Sequence, residues 1–442
     1  MKSKEFSQSK TIISSFILGG ILIGALTVFM GYEIELSIIL IGSGIFIFGV
    51  TYFLYKDILN PVGLFSLIWL GAIGLSNLHL SPLQSKWTGK LWLILLTGYF
   101  GFLIGNFLAT VPLYLKDKFN SQVPLDNEID FLKVHISKSR LEKLIISLFI
   151  ISSIAYLYEA YNIGGLPIFS EKPLQSYVQF AMPKIHFLAV IMIPLCSLIG
   201  LYFALYERPS WMKLTLGVIF FFLVARLARW ELIWGIIGFL VPNHYLNKRL
   251  KPRHFLIFFS IIMSFITILG VLRTLYVLEG WNYINVIYGL NLSPSYIGFS
   301  WIYVYFASSI ENLNEEMLAL GNNYTFGLYT LRPLLAIIGK KDIIPKHFTP
   351  ELLEGWTGTF LLSFYSDFGL VGALIFPFII GFFTSRIHFL SIKHNRNRVF
   401  WIMLYSMLVV PILSVGSNDM FTEVTIYFFI IVLSLAYFYI KV

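Results

Sequence analysis

An all-α polytopic membrane protein of about twelve transmembrane helices is the fold class this sequence predicts, on three observations. Apolar residues make up 57% of the chain and charged residues 12%, about half the charged share of a soluble domain. The apolar residues fall in continuous runs of about 20, without the alternation of a membrane strand. The charges fall in short clusters between those runs. Lipid can face such helices directly, whereas a soluble chain of this length needs polar exteriors.

The first run covers 11–31 and follows Lys2, Lys4 and Lys10. It is longer than a signal peptide's apolar region and lacks a small-residue cleavage site, so it reads as a retained first helix. Later spans are expected at about 34–55, 62–78, 91–115, 141–160, 184–206, 211–227, 230–246, 254–278, 361–384, 399–415 and 421–440. Pro61, Pro411 and the glycines within spans are tolerable because neighbouring helices can satisfy the backbone. The run 214–245 is broken only by Arg226, Arg229 and Glu231. As one helix it would overshoot the bilayer by about half. It would also turn the cluster Lys248-Arg249-Leu250-Lys251-Pro252-Arg253 outward, against the positive-inside rule. Two short spans with a tight external turn at 226–231 are therefore expected.

With the N-terminus inside, about two thirds of the Lys and Arg residues become cytoplasmic. Both termini are assigned to the cytoplasm, and the chain to the cytoplasmic (inner) membrane. Residues 1–442 read as a single membrane domain with a charged cytoplasmic loop at 116–143 and a large extracytoplasmic loop at 279–360. The second loop is rich in Trp, Tyr and Phe. Its amphipathic pieces, 301–320 and 326–338, are expected to lie along the membrane surface or cap the bundle. No internal repeat is evident.

Several function classes are disfavoured. The net charge is +9, but the basic residues are distributed as topology determinants and anionic-lipid contacts, so no nucleic-acid partner is expected. Cys196 is the single cysteine, which excludes an internal disulfide and a thiolate metal cage. Phosphate-binding Gly-rich loops, dinucleotide fingerprints, His-Glu-x-x-His and external Asp-x-Asp are all missing. This argues against an energised pump and a metal-dependent enzyme using nucleotide sugars, and neither metal nor cofactor is expected. What remains is a set of external-face arginines: Arg226, Arg229, Arg273 and Arg332. Singly, each could snorkel to the headgroups. Together they suit a diphosphate, whose oxygens the guanidinium fork holds bidentately. Arg226 and Arg229, three apart, are expected to share a face at a helix end.

Gly164-Gly165-Leu166-Pro167-Ile168-Phe169-Ser170 follows the fifth span, and an apolar hairpin bearing arginine precedes a basic cluster. Thr357-Gly358-Thr359-Phe360 then leads to Tyr365-Ser366-Asp367-Phe368-Gly369-Leu370-Val371-Gly372-Ala373. This succession resembles the bacterial oligosaccharide repeat-unit polymerases, also called O-antigen or Wzy-type polymerases. The Arg-x10-Gly spacing of some members is not found from the four arginines. The resemblance implies a GT-C-like glycosyltransferase at the outer leaflet. Donor and acceptor would be oligosaccharides on undecaprenyl diphosphate, with membrane lipid, a chain-length regulator and a flippase as further partners. An acceptor hydroxyl would attack the donor's anomeric carbon, which needs positive charge on the leaving diphosphate and a base. The four arginines are candidates for the diphosphate, and Asp367, Glu231 and His347 for the base. Asp367 could equally N-cap the tenth span, and Glu231 could pair with Arg226 or Arg229. Trp356 and Tyr324, like Trp281 and Trp301, could stack on sugars or sit in the interfacial belt. His79 and His186 read as structural. A ligase using the same lipid donor and a lipid-linked oligosaccharide flippase are the alternatives.

Overall fold

The computed structural model describes residues 33–117, 135–182, 184–247, 249–274, 282–345, 358–393 and 397–442. The expected first span at 11–31 lies outside them. The described chain is helical throughout, and no strand occurs among the described residues beyond one isolated bridge between Ile136 and Lys441. The first helices are α1 (Glu33–Tyr55), α2 (Pro61–Ser76), α3 (Gly89–Asp117) and α4 (Lys138–Asn162). Short helices α5 (Pro173–Gln179) and α6 (Ile185–Ala189) then lead to α7 (Met192–Leu205), α8 (Ser210–Ala225), α9 (Arg229–Leu246) and α10 (Pro252–Thr274). The rest comprises α11 (Tyr283–Ile287), α12 (Ile297–Leu320), α13 (Arg332–Ile337), α14 (Leu361–Ile392), α15 (Arg398–Ser414) and α16 (Val424–Ile440).

Helix starts follow local chemistry. Asn60 caps α2, its Oδ1 accepting from the N–H groups of Val62 and Gly63 at 3.0 and 3.3 Å, while Pro61 fills the first position, where no N–H is needed. The expected span 184–206 is broken at 190–191. Pro194 has no N–H to offer the carbonyl of Val190, which accepts instead from Ile193 at 3.0 Å. The helix beyond the break, α7, is buried along its whole length at the centre of the bundle. Among the described residues, five helical stretches are long and apolar enough to cross a membrane: α1, the first 22 residues of α3, α4 with the turns after it, α6 through α7, and α14. Shorter apolar helices accompany them, namely α2, α8, the Met263–Leu272 part of α10, α15 and α16.

Small residues bring the longest helices together. A β-carbon on Gly105 of α3 would lie 2.0 Å from the carbonyl oxygen of Phe378 on α14, so only glycine permits this crossing. Connections collect at two ends. At one, Ser137 N–H donates to Ile440 O, Tyr206 Oη to Ile136 O, and Arg398 to the carbonyls of Tyr245 and Ser391. Buried Asp57 staples this end, accepting from His244 Nε2, His388 Nε2 and Tyr245 Oη at 2.9–3.0 Å. Residues 136 and 441 thus share an end. The opposite end gathers residues 77–88, 163–182, 184–190, 226–228, 321–345 and 415–423. There α12 packs on α2, α10 and α14, burying Glu311, Asn312, Asn314 and Glu316 along with its apolar face.

Candidate functional site

The arginine hairpin stands at this second end. Arg226 caps the C-terminus of α8, Leu227 takes a φ of 63°, and α9 begins at Arg229, as the expected turn between two short spans requires. The expectation that both arginines share a face is corrected. They lie on either side of a left-handed residue, which rotates the backbone between them and sends their side chains to different neighbours.

Arg226 turns back on its own hairpin. Its Nη1 donates to both oxygens of Glu231 at 2.6 and 2.5 Å, in the first turn of α9, where the helix N-terminus also favours a carboxylate. His186 of α6 lies beside the pair, with Nε2 3.8 Å from Glu231 and Nδ1 3.1 Å from buried Glu159 on α4. Tyr177 and Phe180 lie against the guanidinium at 5.9 and 5.5 Å from their ring centres. This network ties the segment after the Gly164–Ser170 motif to the hairpin, because buried charges persist only when paired.

Arg229 faces α12. Its guanidinium sits 5.1 Å from the Trp301 ring centre and 4.9 Å from that of Tyr305. Gly270 of α10 leaves room for it, since a β-carbon there would lie 3.0 Å from Arg229 Nη1 and 2.9 Å from the Trp301 ring. Arg273 follows one turn along the same helix, with its side chain outside the described set. Arg229 lines a small cleft of about 50 Å³ whose walls are nearly all apolar, among them Ile68, Ile233, Met263, Ile302 and Leu413, with Ser417 as a polar member.

Arg332, the first residue of α13, pairs with Glu423 at 3.1 Å. Asp367 holds the segment that leads to it. The wholly buried Asp367 carboxylate accepts from Thr325 Oγ1 at 2.5 Å, Tyr329 N–H at 3.1 Å and Thr330 N–H at 2.6 Å. Thr325 N–H and Phe326 N–H also bond to the carbonyls of Ser366 and Asp367, each at 3.1 Å. Asp367 therefore caps the 325–330 turn rather than the start of its own helix. Gly369 breaks α14 there with φ 59°, and a β-carbon on it would lie 2.6 Å from Tyr324 Oη. Tyr324 is thereby packed on the Asp-Phe-Gly turn, edge-on to Tyr365 with 6.2 Å between ring centres.

Three residues that sequence reasoning passed over belong to this end. Glu159 lies inside an apolar span, and His186 reads as structural from its sequence. Asp419 lies in the turn between α15 and α16, beside Ser363 and Thr422, and sequence position alone reads it as a solvated turn carboxylate. Its two oxygens are instead sealed from solvent, beside the hydroxyls of Ser363 and Thr422. Burial pushes the carboxyl up to about 7, against smaller downward pulls from Ser363 and Thr422. Trp356, His347 and Trp281 lie outside the described residues.

The family model described as "Putative O-antigen polymerase" matches residues 72–292. That region runs from α2 past α11 and includes the arginine hairpin. No curated protein and no solved structure matches the chain.

Proposed function

The chain belongs to the O-antigen polymerase family, and from that premise we propose how this multi-pass membrane protein polymerises oligosaccharide repeat units into a surface polysaccharide. Donor and acceptor are repeat units on undecaprenyl diphosphate, joined at the outer leaflet of the cytoplasmic membrane. About twelve spans in a GT-C-like arrangement hold the Arg226 end outward and both termini inside. An acceptor hydroxyl attacks the anomeric carbon of the growing chain, and undecaprenyl diphosphate leaves.

One observation carries this reading: Arg229 lines an apolar cleft at the end where the hairpin turns. A polyprenyl diphosphate needs that combination, with apolar walls for the first isoprene units and a fixed cation for the charge that develops on the leaving oxygen. Arg332 and Arg273, brought to the same end, supply further charge as the substrate arrives. Arg226 and Glu231 act on each other, so their role is to hold the hairpin that presents Arg229. Asp367 is likewise a positioning residue, acting through the turn that leads to Arg332. Tyr324, with Trp356, offers a ring to the glycan.

The test is the surface glycan of a strain lacking this protein. Polymerase loss leaves single repeat units attached to the surface. Loss of all attachment would indicate a ligase instead, and lipid-linked units trapped inside would indicate a flippase. Purified protein should also polymerise lipid-linked units in the presence of chelator. Activity abolished by chelator and restored by a divalent metal would overturn the arginine-only account.

A further inference from the structure

The network beside the hairpin is unbalanced in charge unless His186 carries a proton. Glu159 of α4 and Glu231 of α9 bring two carboxylates, and Arg226 brings one guanidinium, held on Glu231. Tyr156 of α4 and Tyr177 of α5 add phenols rather than ions. Phe428 of α16 meets α6 through Phe187, and Lys184 is exposed to solvent. Among the described residues, His186 therefore decides the balance. Its Nδ1 lies 3.2 and 3.1 Å from the Glu159 oxygens, and its Nε2 lies 3.8 Å from Glu231. A neutral ring would turn a lone pair on one carboxylate and leave a buried charge uncompensated, which is costly. An imidazolium balances the set and puts an N–H towards each carboxylate. The backbone here is also strained, because Lys184 holds a φ of 70°, a left-handed conformation unfavourable for lysine. The residues two places to either side are tied to one carboxylate. Met182 N–H donates to Glu159 Oε1 at 2.9 Å, and His186 reaches both oxygens. Such a turn persists only while its surroundings hold it.

We propose that the Glu159–His186 pair is an acid-dependent latch, closed by the proton on His186, that holds α5 and α6 against the arginine hairpin. Loss of that proton to water leaves two carboxylates against one guanidinium, and the strained turn at Lys184 is released. The released part follows the Gly164–Ser170 motif and includes α5 and the residue that ends it, which lay Tyr177 and Phe180 against Arg226. Opening therefore loosens Arg226 and Glu231, the pair that fixes the start of α9 and presents Arg229. That last consequence rests on the function proposed above. It makes polymerisation fall when the surroundings of the outward end become alkaline.

The experiment compares the purified full chain with E159Q and H186Q, by thermal unfolding and by tryptic cleavage after Lys184 normalised to a reference peptide. A proton bound more tightly in the folded chain gives stability that is full below the ordinary histidine range and lost as pH climbs above it. The parent should therefore unfold at a lower temperature near pH 9 than near pH 6. Its cleavage at Lys184 should quicken about tenfold for each pH unit along that limb. E159Q removes the excess carboxylate while its amide oxygen still accepts from Met182, so both readouts should hardly change over the range. H186Q keeps the excess charge at every pH and should be cut near pH 6 as fast as the parent near pH 9. A parent without the alkaline limb, or either variant keeping it, overturns the latch. Polymerisation of lipid-linked units by the parent is read separately and should fall along the same limb. A rate indifferent to pH overturns the coupling to Arg229. A parent that follows the limb in cleavage but forms no polymer overturns the polymerase reading and leaves the latch standing.

Discussion

At the scale of single residues, Arg229 carries the chemistry of the proposed site and Asp419 a buried charge whose protonation affects stability. If Arg229 holds the diphosphate, lysine preserves its charge but loses both the forked donors and the broad cation–π contact with Trp301 and Tyr305. Arg229→Lys should therefore accumulate normally in the membrane yet polymerise about ten- to a hundredfold more slowly, the worth of one charge-assisted contact tightened in the transition state. Chain-length distribution at matched protein level reads this, and parental chain lengths would make Arg229 an anchor only. For Asp419 the stability consequence has a definite sign. A carboxyl raised in the folded state binds its proton more tightly there than in the unfolded chain. Its contribution is therefore full below the ordinary aspartate range and is lost as pH climbs to about 7. Asp419→Asn should unfold at a higher temperature than the parent at pH 8, with the gap closing towards pH 4. An equal gap at both values would show that Asp419 is solvated.

At the scale of elements, the Asp367 clamp joins α14 to the turn before α13. Removing its carboxylate by Asp367→Ala strands the N–H groups of Tyr329 and Thr330 and the hydroxyl of Thr325. A buried group left without its partner costs about 1–3 kcal/mol. The variant should lose thermal stability and become open to proteolysis within 325–331, with activity lost in proportion. An Asp367→Ala protein that is inactive but as stable and protease-resistant as the parent would return Asp367 to a direct catalytic role. The α8–α9 hairpin has a comparable clamp in Arg226, Glu231, His186 and Glu159, which fixes where Arg229 begins its helix.

Across the whole molecule, the two ends divide the labour. One end is closed by Asp57 with its two histidines and by the pairing of Ile136 with Lys441. The other carries the arginines, the cleft and Asp419. Reporters fused near residues 130 and 442 should therefore give the same, cytoplasmic signal, and one near residue 345 the external signal. Opposite signals at 130 and 442 would contradict the pairing, and a cytoplasmic signal at 345 would move the proposed site to the wrong leaflet.

Helix positions were legible from sequence because the requirement is local: a span needs a continuous apolar run, and a charge between two runs forces a turn. The 226–228 turn, the start of α14 and the boundaries of α1, α2 and α8 all follow from that rule. The break at 190–191 is not legible in sequence, although Pro194 is its cause, because proline inside a membrane bundle is often tolerated. Partnerships among polar residues were not legible at all. Asp367 looks like a helix cap until packing brings residues 325–330 onto it, and Arg226 and Arg229 look like a pair until Leu227 turns them apart. Asp419 reads as an ordinary turn carboxylate until Ser363, nearly sixty residues earlier, closes beside it. Such contacts depend on which helices pack against which, and an apolar run facing lipid and helices alike carries almost no record of that choice.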